Sequence, residues 1–400
     1  MCMKVYIVFT MYFFHATIDN LYDNLMSNYC DRFYTNFDSN TDSNFLECEM
    51  NNVIYKLGES IQVNCNLCIC IISSSSGLPE MSCDQSECLI QSEIINSING
   101  DPDRTWRASN QTTFWGTKLD DGLSYYLGTL VSDEEVMQQL SVSSLPTPED
   151  IPSEWDHRTA FNFGRALHQG KCGSSYAFSA IQMMNARIPL AAEHAGHPPE
   201  EPKLSAQQYV SCMEPTDGSP GACQGAQLED AWNYFERQGL TNEQCYPYIS
   251  GDEGLVKECS LDTSCPSFTV GKRIRLECEE DIQRDIMAFG PVQAIIEVSQ
   301  DLFHYESGVY QPTMDTPLDR ATFHSVILLG WGKEKGVPYW LARNSWGNEW
   351  GECVDLPFGR GGQGCGYFKI MRGQNVAHIE SFVISAHPNL VDMMSGEEDI

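Results

Sequence analysis

The spacing of the cysteines constrains the fold of this chain more than any other feature. Six cysteines lie within one short stretch: Cys48, Cys65, Cys68, Cys70, Cys83 and Cys88. A segment this short buries too little apolar surface to fold alone, so cross-links must restrict its unfolded state. The Cys-x-x-Cys-x-Cys group would suit zinc in a reducing compartment, whereas disulfides are expected in an oxidising one. The pattern predicts a small disulfide-rich module over residues 30–92.

The N-terminus favours the oxidising compartment. Lys4 precedes an apolar run over residues 5–14, which is too short to span a bilayer and has the length of a signal-peptide core. Residues 1–17 are therefore predicted to be a signal peptide, and a buried strand or an untranslocated extension is the alternative. Removing Cys2 with it would leave 16 of the 17 cysteines, an even number compatible with complete pairing. We expect a secreted, extracellular protein, with the lysosome as the alternative and no transmembrane segment.

Acidic residues dominate the charge of the chain. Fifty-five Asp and Glu against 24 Lys and Arg give a formal net charge of −31, and residues 390–400 form an acidic tail. This balance excludes nucleic acid as an obvious partner. It favours cationic neighbours such as basic matrix proteins, unless it is only a solvated acidic face. Asn110 begins the sequence Asn-Gln-Thr and is a candidate glycosylation site.

Three separate segments together indicate a known chemistry. Residues 169–179 read QGKCGSSYAFS, residues 323–332 read FHSVILLGWG and residues 338–347 read PYWLARNSWG. They resemble the nucleophile, histidine and asparagine segments of the papain-family peptidases. The sequences of residues 347–351 and 366–373 resemble those of the cathepsin B branch of that family. The resemblance covers residues 145–389 and implies an α+β, papain-like domain with two lobes, one helical and one like a β-barrel.

The resemblance implies a role for each matching residue. Gln169 matches the oxyanion-hole glutamine, Ser175 the nucleophile position, His324 the base and Asn344 the residue that orients it. The alternative for His324 and Asn344 is a packed pair retained only for structure.

Further matches concern substrate binding and a disulfide. Gly225 matches a residue that pairs with the substrate backbone, and Trp346 matches the indole that shields the histidine–asparagine hydrogen bond. Cys172 and Cys223 match a structural disulfide of the family, which is a better interpretation of Cys172 than a substitute nucleophile. His194 and His197 have ligand-like spacing but lack further ligands nearby, so neither a metal nor a cofactor is expected.

Ser175 stands where the family has a cysteine. A thiol, with a pKa of about 8.5, ionises beside a histidinium, whereas a serine hydroxyl does not. Serine enzymes use a histidine base supported by a buried aspartate, and here the third residue is the neutral Asn344. Substitutions in such triads cost about 10⁴-fold in rate. We expect a retained cleft without peptidase activity. The alternatives are an active peptidase that uses Ser175 with His324, and a decoy for peptidase inhibitors or pro-peptides.

The N-terminal part carries a second resemblance. Residues 58–70 and 88–90 are similar to the cysteine-rich region of the tubulointerstitial nephritis antigen group, which also has serine at the nucleophile position. Members of that group are secreted and matrix-associated, and are regarded as peptidase-like without peptidase activity. The resemblance therefore implies matrix or cell-surface proteins as partners, and a peptide or inhibitor in the cleft as a further one.

Residues 93–144 resemble a short cathepsin B-type pro-region followed by a linker. Such regions lie along the cleft, and the sequence does not say whether this one stays there. Downstream, residues 174–188 have apolar residues on most faces and predict a buried helix that begins at the site. Residues 292–298 and 325–329 predict strands of a second lobe. The paired-histidine loop of cathepsin B has no counterpart between Cys212 and Cys278, so any activity is expected to be endopeptidase cleavage.

Overall fold

The computed structural model describes residues 47–110, 112–131, 141–142, 151–159, 161–198, 202–216, 219–262, 264–313, 322–355 and 363–389. The predicted signal peptide, the acidic tail and residues 143–150 of the linker lie outside these ranges. The chain divides into two compact units. The first comprises Met1–Ile61 and Leu67–Asp84, and the second comprises Gln62–Asn66 and Gln85–Ile400.

Short antiparallel strands and disulfides build the N-terminal region. The strands are β1 (Glu47–Met50), β2 (Val53–Lys56), β3 (Ser60–Val63), β4 (Asn66–Ile72) and β5 (Pro79–Cys83). Asn51 and Asn52 connect β1 to β2 with φ of 52° and 62°, the left-handed region that asparagine tolerates. The predicted disulfide-rich character of this region is confirmed, because the six cysteines from Cys48 to Cys88 are joined as Cys48–Cys70, Cys65–Cys88 and Cys68–Cys83. These sulfurs are therefore not available to hold zinc. Residues 30–46 of the predicted module, with Cys30, lie outside the described residues.

Strands of the second unit form one large sheet. They are β6 (Trp106–Ala108), β7 (Thr129–Leu130), β8 (Ser141–Val142), β9 (Trp155–Asp156), β10 (Ala226–Gln227), β11 (Val270–Leu276), β12 (Val292–Glu297), β13 (Tyr305–Tyr310), β14 (Phe323–Glu334), β15 (Val337–Arg343), β16 (Glu352–Asp355), β17 (Gln363–Met371) and β18 (Val383–Pro388). Their order is β6-β13-β17-β15-β14-β12-β18-β11-β8, and β7, β9, β10 and β16 attach beside this path.

Helices pack against this sheet. They are α1 (Ser92–Gly100), α2 (Leu119–Tyr126), α3 (Ser175–His194), α4 (Ala206–Cys212), α5 (Leu228–Gln238) and α6 (Glu279–Phe289). Short 3-10 turns occupy Thr112–Phe114, His157–Thr159, Gln300–His304 and Val376–His378. The α+β class predicted from the sequence is confirmed. The helix predicted over residues 174–188 forms as α3, which continues to His194 and is buried over most of its length because apolar residues cover most of its faces.

Strand β14 separates two hydrophobic cores. Val326 and Leu328 belong to one core, which also contains most of the buried tryptophans. Ile327 and Leu329 belong to the other, which contains α3. Successive side chains of a strand point to opposite faces, so a run of apolar residues is what a strand buried on both faces requires. The two cores are the physical basis of the predicted lobes.

The structure bears on the predicted pairing of the cysteines and on the predicted absence of a transmembrane segment. Cys353 and Cys365 are bonded, while most of the loop between them lies outside the described residues. Cys278 is exposed and not in a disulfide, so complete pairing is not seen among the residues that the structure describes. Within those residues, no helix has the length and apolar character needed to cross a membrane.

A buried ion pair ties α3 to the sheet. Arg187 of α3 pairs with Asp285 of α6, and both side chains are at most 1% exposed. The same guanidinium donates to the Pro291 carbonyl at 2.7 Å and to Ser385 Oγ of β18 at 2.7 Å. Because hydrogen bonds surround the buried guanidinium, its charge is compensated only while all of these partners remain in place.

Removing one partner should therefore destabilise the protein strongly. We expect Asp285→Ala to lower the free energy of unfolding by about 3–5 kcal/mol, because it leaves a buried charge unpaired. Glu236→Ala is the matched control, because it breaks a 4.0 Å ion pair with Arg273 in which the glutamate side chain is 47% exposed. We expect this variant to lower the free energy of unfolding by about 0–1 kcal/mol. Urea unfolding under non-reducing conditions, followed by tryptophan fluorescence, measures both. Equal small losses in the two variants would contradict the assignment.

Candidate active-site cleft

Ser175 begins α3, and the loop before it is fixed in place. Cys172 and Cys223 are bonded to each other, which is the pair that the resemblance implied. Gly173 donates its N–H to the Cys223 carbonyl at 2.9 Å. Ser174 is the helix cap, with non-helical backbone angles. Ser175 is therefore held at a helix N-terminus, where it is fully buried.

His324 and Asn344 meet on neighbouring strands. His324 lies in β14, and Asn344 directly follows β15, which pairs with β14. His324 Nε2 lies 2.6 Å from Asn344 Oδ1, an atom that only accepts, so the imidazole carries a proton on Nε2. The Trp346 ring lies over the pair, with its centroid 5.0 Å from that of the imidazole. His324 Nδ1 has no hydrogen-bond partner among the described residues.

The imidazole of His324 is neutral. Burial lowers its pKa to about 4, and the hydrogen bond to Asn344 offsets this only in part. A papain-type site needs an imidazolium beside its nucleophile before the substrate arrives. This site instead holds a neutral imidazole whose Nδ1 lone pair is free to accept a proton.

The oxyanion position is occupied by the chain itself. Gln169 Nε2 donates to the carbonyls of Leu127 at 2.9 Å, Cys172 at 3.0 Å and Tyr125 at 3.1 Å. The Ser175 N–H also points to the Leu127 carbonyl, at 3.5 Å. Both donors that would stabilise a tetrahedral intermediate are therefore directed at Leu127.

Residues 125–131, here called the cleft segment, run between the elements that carry the site. Strand β7 of this segment pairs in parallel with β10, and its Thr129 pairs with Phe323 of β14. Gly128 has φ of +115°, and a Cβ there would lie 2.1 Å from the Gly173 backbone. Only a glycine therefore allows the segment to approach this closely. The expectation that the pro-region-like part lies along the cleft agrees with this placement.

A closed cycle of hydroxyl groups holds the proton of Ser175. Thr129 Oγ1 lies 2.8 Å from Ser175 Oγ and donates to Ser325 Oγ at 2.9 Å. Since a hydroxyl has one proton, Ser175 is the donor to Thr129. Ser325 Oγ lies 2.7 Å from Ser179 Oγ, which donates to the Ser175 carbonyl at 2.7 Å. The Ser175 proton is thus directed to Thr129 and not to His324.

The predicted substrate-binding residues also contact the cleft segment. A Cβ at Gly225 would lie 3.1 Å from the Gly128 carbonyl, and the next residue, Ala226, donates its N–H to that carbonyl at 3.2 Å. Trp346 Nε1 donates to the Tyr126 carbonyl at 2.7 Å. The backbone beside Gly225 and the Trp346 indole are therefore hydrogen-bonded to this chain's own backbone.

Some predicted residues lie away from the cleft, and two residues of the cleft were not predicted. Asn110 is exposed, and its glycosylation stays a prediction. His194 ends α3, in the exposed stretch that also contains His197. Sequence reasoning did not single out Thr129 or Ser325. Ser325 follows His324 directly, which is a usable signal, but nothing in the sequence around Thr129 indicates its contact.

Comparison with protein families decides the identity of the large unit. Residues 151–387 match the model described as papain family cysteine protease. The chain belongs to the papain family. The solved structure of procathepsin B S9 from Trypanosoma congolense shares the fold, with a TM-score of 0.62 at 22% identity over 75% of this chain and 99% of that one. The predicted papain-like fold is confirmed.

Curated papain-family relatives cover most of the chain. It is 30% identical to tubulointerstitial nephritis antigen of Homo sapiens, over 83% of this chain and 71% of that protein. It is 31% identical to tubulointerstitial nephritis antigen-like of Homo sapiens, over 84% and 75%. It is 29% identical to a cathepsin B-like cysteine proteinase of Schistosoma japonicum, over 74% and 90%. The predicted similarity to the cathepsin B branch and to the nephritis antigen group is confirmed.

The buried neutral histidine should make stability depend on pH. Because the pKa of His324 falls from 6.5 to about 4 on folding, the unfolded chain binds the proton more tightly. Stability from this residue is complete above pH 6.5 and is lost as the pH falls towards 4, by about 3 kcal/mol. We expect His324→Gln to lose less stability than the wild type between these pH values, in urea unfolding series. His378→Gln, at a side chain 53% exposed, should follow the wild type, and parallel curves for all three proteins would contradict the assignment.

Proposed function

We propose that this papain-family protein is secreted, has no peptidase activity and acts by binding extracellular-matrix or cell-surface proteins. The observation that carries the first part is the 2.8 Å hydrogen bond between Ser175 and Thr129. It directs the hydroxyl of Ser175 to Thr129 and not to the imidazole of His324. The binding role rests on the similarity to the nephritis antigen group and on the surface of the N-terminal module.

The chemistry of the site supports inactivity. A serine hydroxyl is not ionised in advance, so it must lose its proton to a base during attack. Of the described residues, none donates a hydrogen bond to His324 Nδ1, the atom that would accept that proton. The residue behind the imidazole is Asn344, which stabilises a developing imidazolium less than a buried carboxylate does.

Occupation of the cleft supports inactivity independently of the nucleophile. The Leu127 carbonyl lies where the oxygen of a substrate carbonyl would have to lie, 2.9 Å from Gln169 Nε2. The Ala226 N–H and the Trp346 indole are hydrogen-bonded to the cleft segment as well, so a substrate must first displace this segment.

Exposed apolar side chains in the first unit support a binding role. Seven large apolar residues there are at least 37% exposed: Val53, Ile54, Leu57, Leu67, Ile71, Ile72 and Leu78. A disulfide-stabilised module can present such side chains without unfolding, and exposed apolar residues of this density mark interaction surfaces. The net charge of −31 suits a basic partner.

The two alternative functions are an active serine peptidase and a decoy. An active serine peptidase would require the cleft segment to leave and Ser175 to donate to His324. A decoy for inhibitors or pro-peptides would require an outside ligand to displace the same segment. The filled cleft favours neither, and the experiment below separates both from the proposal.

Gly128→Ala should open the cleft, because the added methyl group would meet the Gly173 backbone at 2.1 Å. We expect the wild type and Gly128→Ala to hydrolyse fluorogenic peptides at least about 10³-fold more slowly than Gly128→Ala combined with Ser175→Cys. Gly100→Ala is the matched control, because a Cβ there has nothing within 4 Å. Assays on the full chain from acid to neutral pH, with circular dichroism to check folding, provide the measurement.

The same series can overturn the proposal. Hydrolysis by Gly128→Ala that disappears when His324→Ala is added would make Ser175 a working nucleophile. Tight binding of a cystatin-type inhibitor by the wild type, with no hydrolysis, would favour the decoy.

The binding role is tested on the apolar surface of the first unit. We expect Ile54→Lys, at a side chain 64% exposed, to reduce retention on decellularised matrix by about tenfold, as loss of a central apolar contact does. Leu261→Lys, at a residue 40% exposed in the second unit, should leave retention unchanged. Retention that is equal for the wild type and both variants would contradict a role for this surface.

A further inference from the structure

A cavity beside α3 has no role in the chemistry described above. Its volume is about 470 Å³, within the range of small-molecule sites. Phe178 and Ile181 of α3 line it together with Phe161, Phe163 and Leu204. All of these belong to the second unit. The walls are therefore mainly apolar, and the few polar groups among them decide what the cavity can hold.

Arg343 is the decisive polar group in this cavity. Its side chain is 3% exposed, and its guanidinium has Nη2 donating to the Gly164 carbonyl at 3.1 Å. Among the described residues, Nε has no hydrogen-bond partner and no carboxylate forms an ion pair with this guanidinium. The rings of Phe163 and Tyr367 lie 5.5 Å from it. Burial lowers the pKa of this guanidinium, opposed only by the nearby Tyr367.

A buried guanidinium without a carboxylate is unusual because the desolvation of its charge is not repaid by an ion pair. Interaction with two aromatic rings compensates a part of this cost only. Arg343 is thus in an environment that an incoming anion would complete.

Gln182 provides a second, independent observation. Its side chain lines the same cavity from α3, is 3% exposed, and has no hydrogen-bond partner at either amide atom within the described part of the chain. An unpaired buried amide costs free energy that a polar ligand atom would recover.

The charges around the cavity favour an anion. Arg165 and Lys203 also line it, so basic side chains outnumber acidic ones there although the whole chain carries −31. Glu243 is the carboxylate among the lining residues, and it accepts a hydrogen bond from the Tyr248 N–H at 2.7 Å. Burial raises the pKa of Glu243, and the hydrogen bond from the Tyr248 N–H opposes this in part.

We propose that this cavity binds a small organic carboxylate with an apolar body, such as a medium-chain fatty acid, with its carboxylate on Arg343 and its chain among the aromatic and aliphatic walls. The guanidinium fork matches a carboxylate with two parallel hydrogen bonds, which a monatomic anion cannot make. The apolar body is required by the remaining walls, which would otherwise enclose poorly bound water. This site goes beyond the proposed function and does not depend on it.

Octanoate and octan-1-ol are the matched probes, because they differ only in the head group. Titration calorimetry on the full chain should give octanoate a dissociation constant on the order of 10–100 µM. Octan-1-ol should bind at least about tenfold more weakly, since it lacks the charge-assisted pair. Octanoate binding by the wild type should also raise its melting temperature in proportion to saturation.

Three substitutions locate the carboxylate. Arg343→Lys keeps the charge but removes the fork, so we expect about a tenfold loss of octanoate affinity. Lys203→Met, at an exposed lining residue, should cost about two- to threefold. Lys333→Met, exposed on β14 and not a lining residue, is the control and should change nothing. Gly128→Ala should also leave octanoate affinity unchanged, because the cavity does not include the cleft segment.

Several results would overturn the proposal. Equal affinity for octanoate and octan-1-ol would show an apolar cavity without anion recognition. Octanoate affinity unchanged in both Arg343→Lys and Lys203→Met would place the carboxylate elsewhere. Tighter octanoate binding by Gly128→Ala, the variant that opens the cleft, would move the ligand to the cleft. No octanoate binding at millimolar concentration would remove the site.

Discussion

Strand β14 is the element on which the rest of the large unit depends. It pairs with β12 and β15 along its length and with β7 and β9 at shorter stretches. Its alternate side chains enter two separate cores, so it cannot slip by one residue without exchanging those cores. His324 and Ser325 lie at its start. The site geometry is therefore set by the same register that holds the two lobes together.

The oxygen of Ser175, in place of a cysteine sulfur, changes the hydrogen bonds of the whole site. His324 is hydrogen-bonded to Asn344 and Trp346 packs beside its ring. The hydroxyl of Ser175, however, takes part in a hydrogen-bond cycle that a thiolate would not join. A sulfur anion would repel the oxygen atoms of such a cycle and attract a proton onto His324. With oxygen in its place, no negative charge of the described residues acts on the imidazole, and burial lowers its pKa against the smaller effect of the hydrogen bond to Asn344.

Much of the fold and site was predictable because it follows from local patterns. The apolar faces of α3 carry their own physical signal, whereas the Cys172–Cys223 disulfide and the roles of the site residues were implied by the resemblance to the papain family. The contact between Thr129 and Ser175 was not predictable, because the residues are 46 positions apart and no periodicity links them. That Arg343 has no carboxylate partner among the described residues was not predictable either, since it depends on which side chains the fold brings close to it. Sequence spacing indicates which chemistry a residue can perform, whereas tertiary packing determines which groups it contacts.

The cleft segment has a further consequence because it is part of the same polypeptide as the cleft. Its local concentration at the cleft is fixed by the chain, on the order of millimolar for a short flexible connection, however dilute the protein is. A peptide or inhibitor in solution must outcompete this tethered ligand, so its apparent affinity is weaker than its intrinsic one by the fraction of molecules in which the cleft is open. Access to the cleft then depends on the integrity of the covalent chain as well as on ligand concentration.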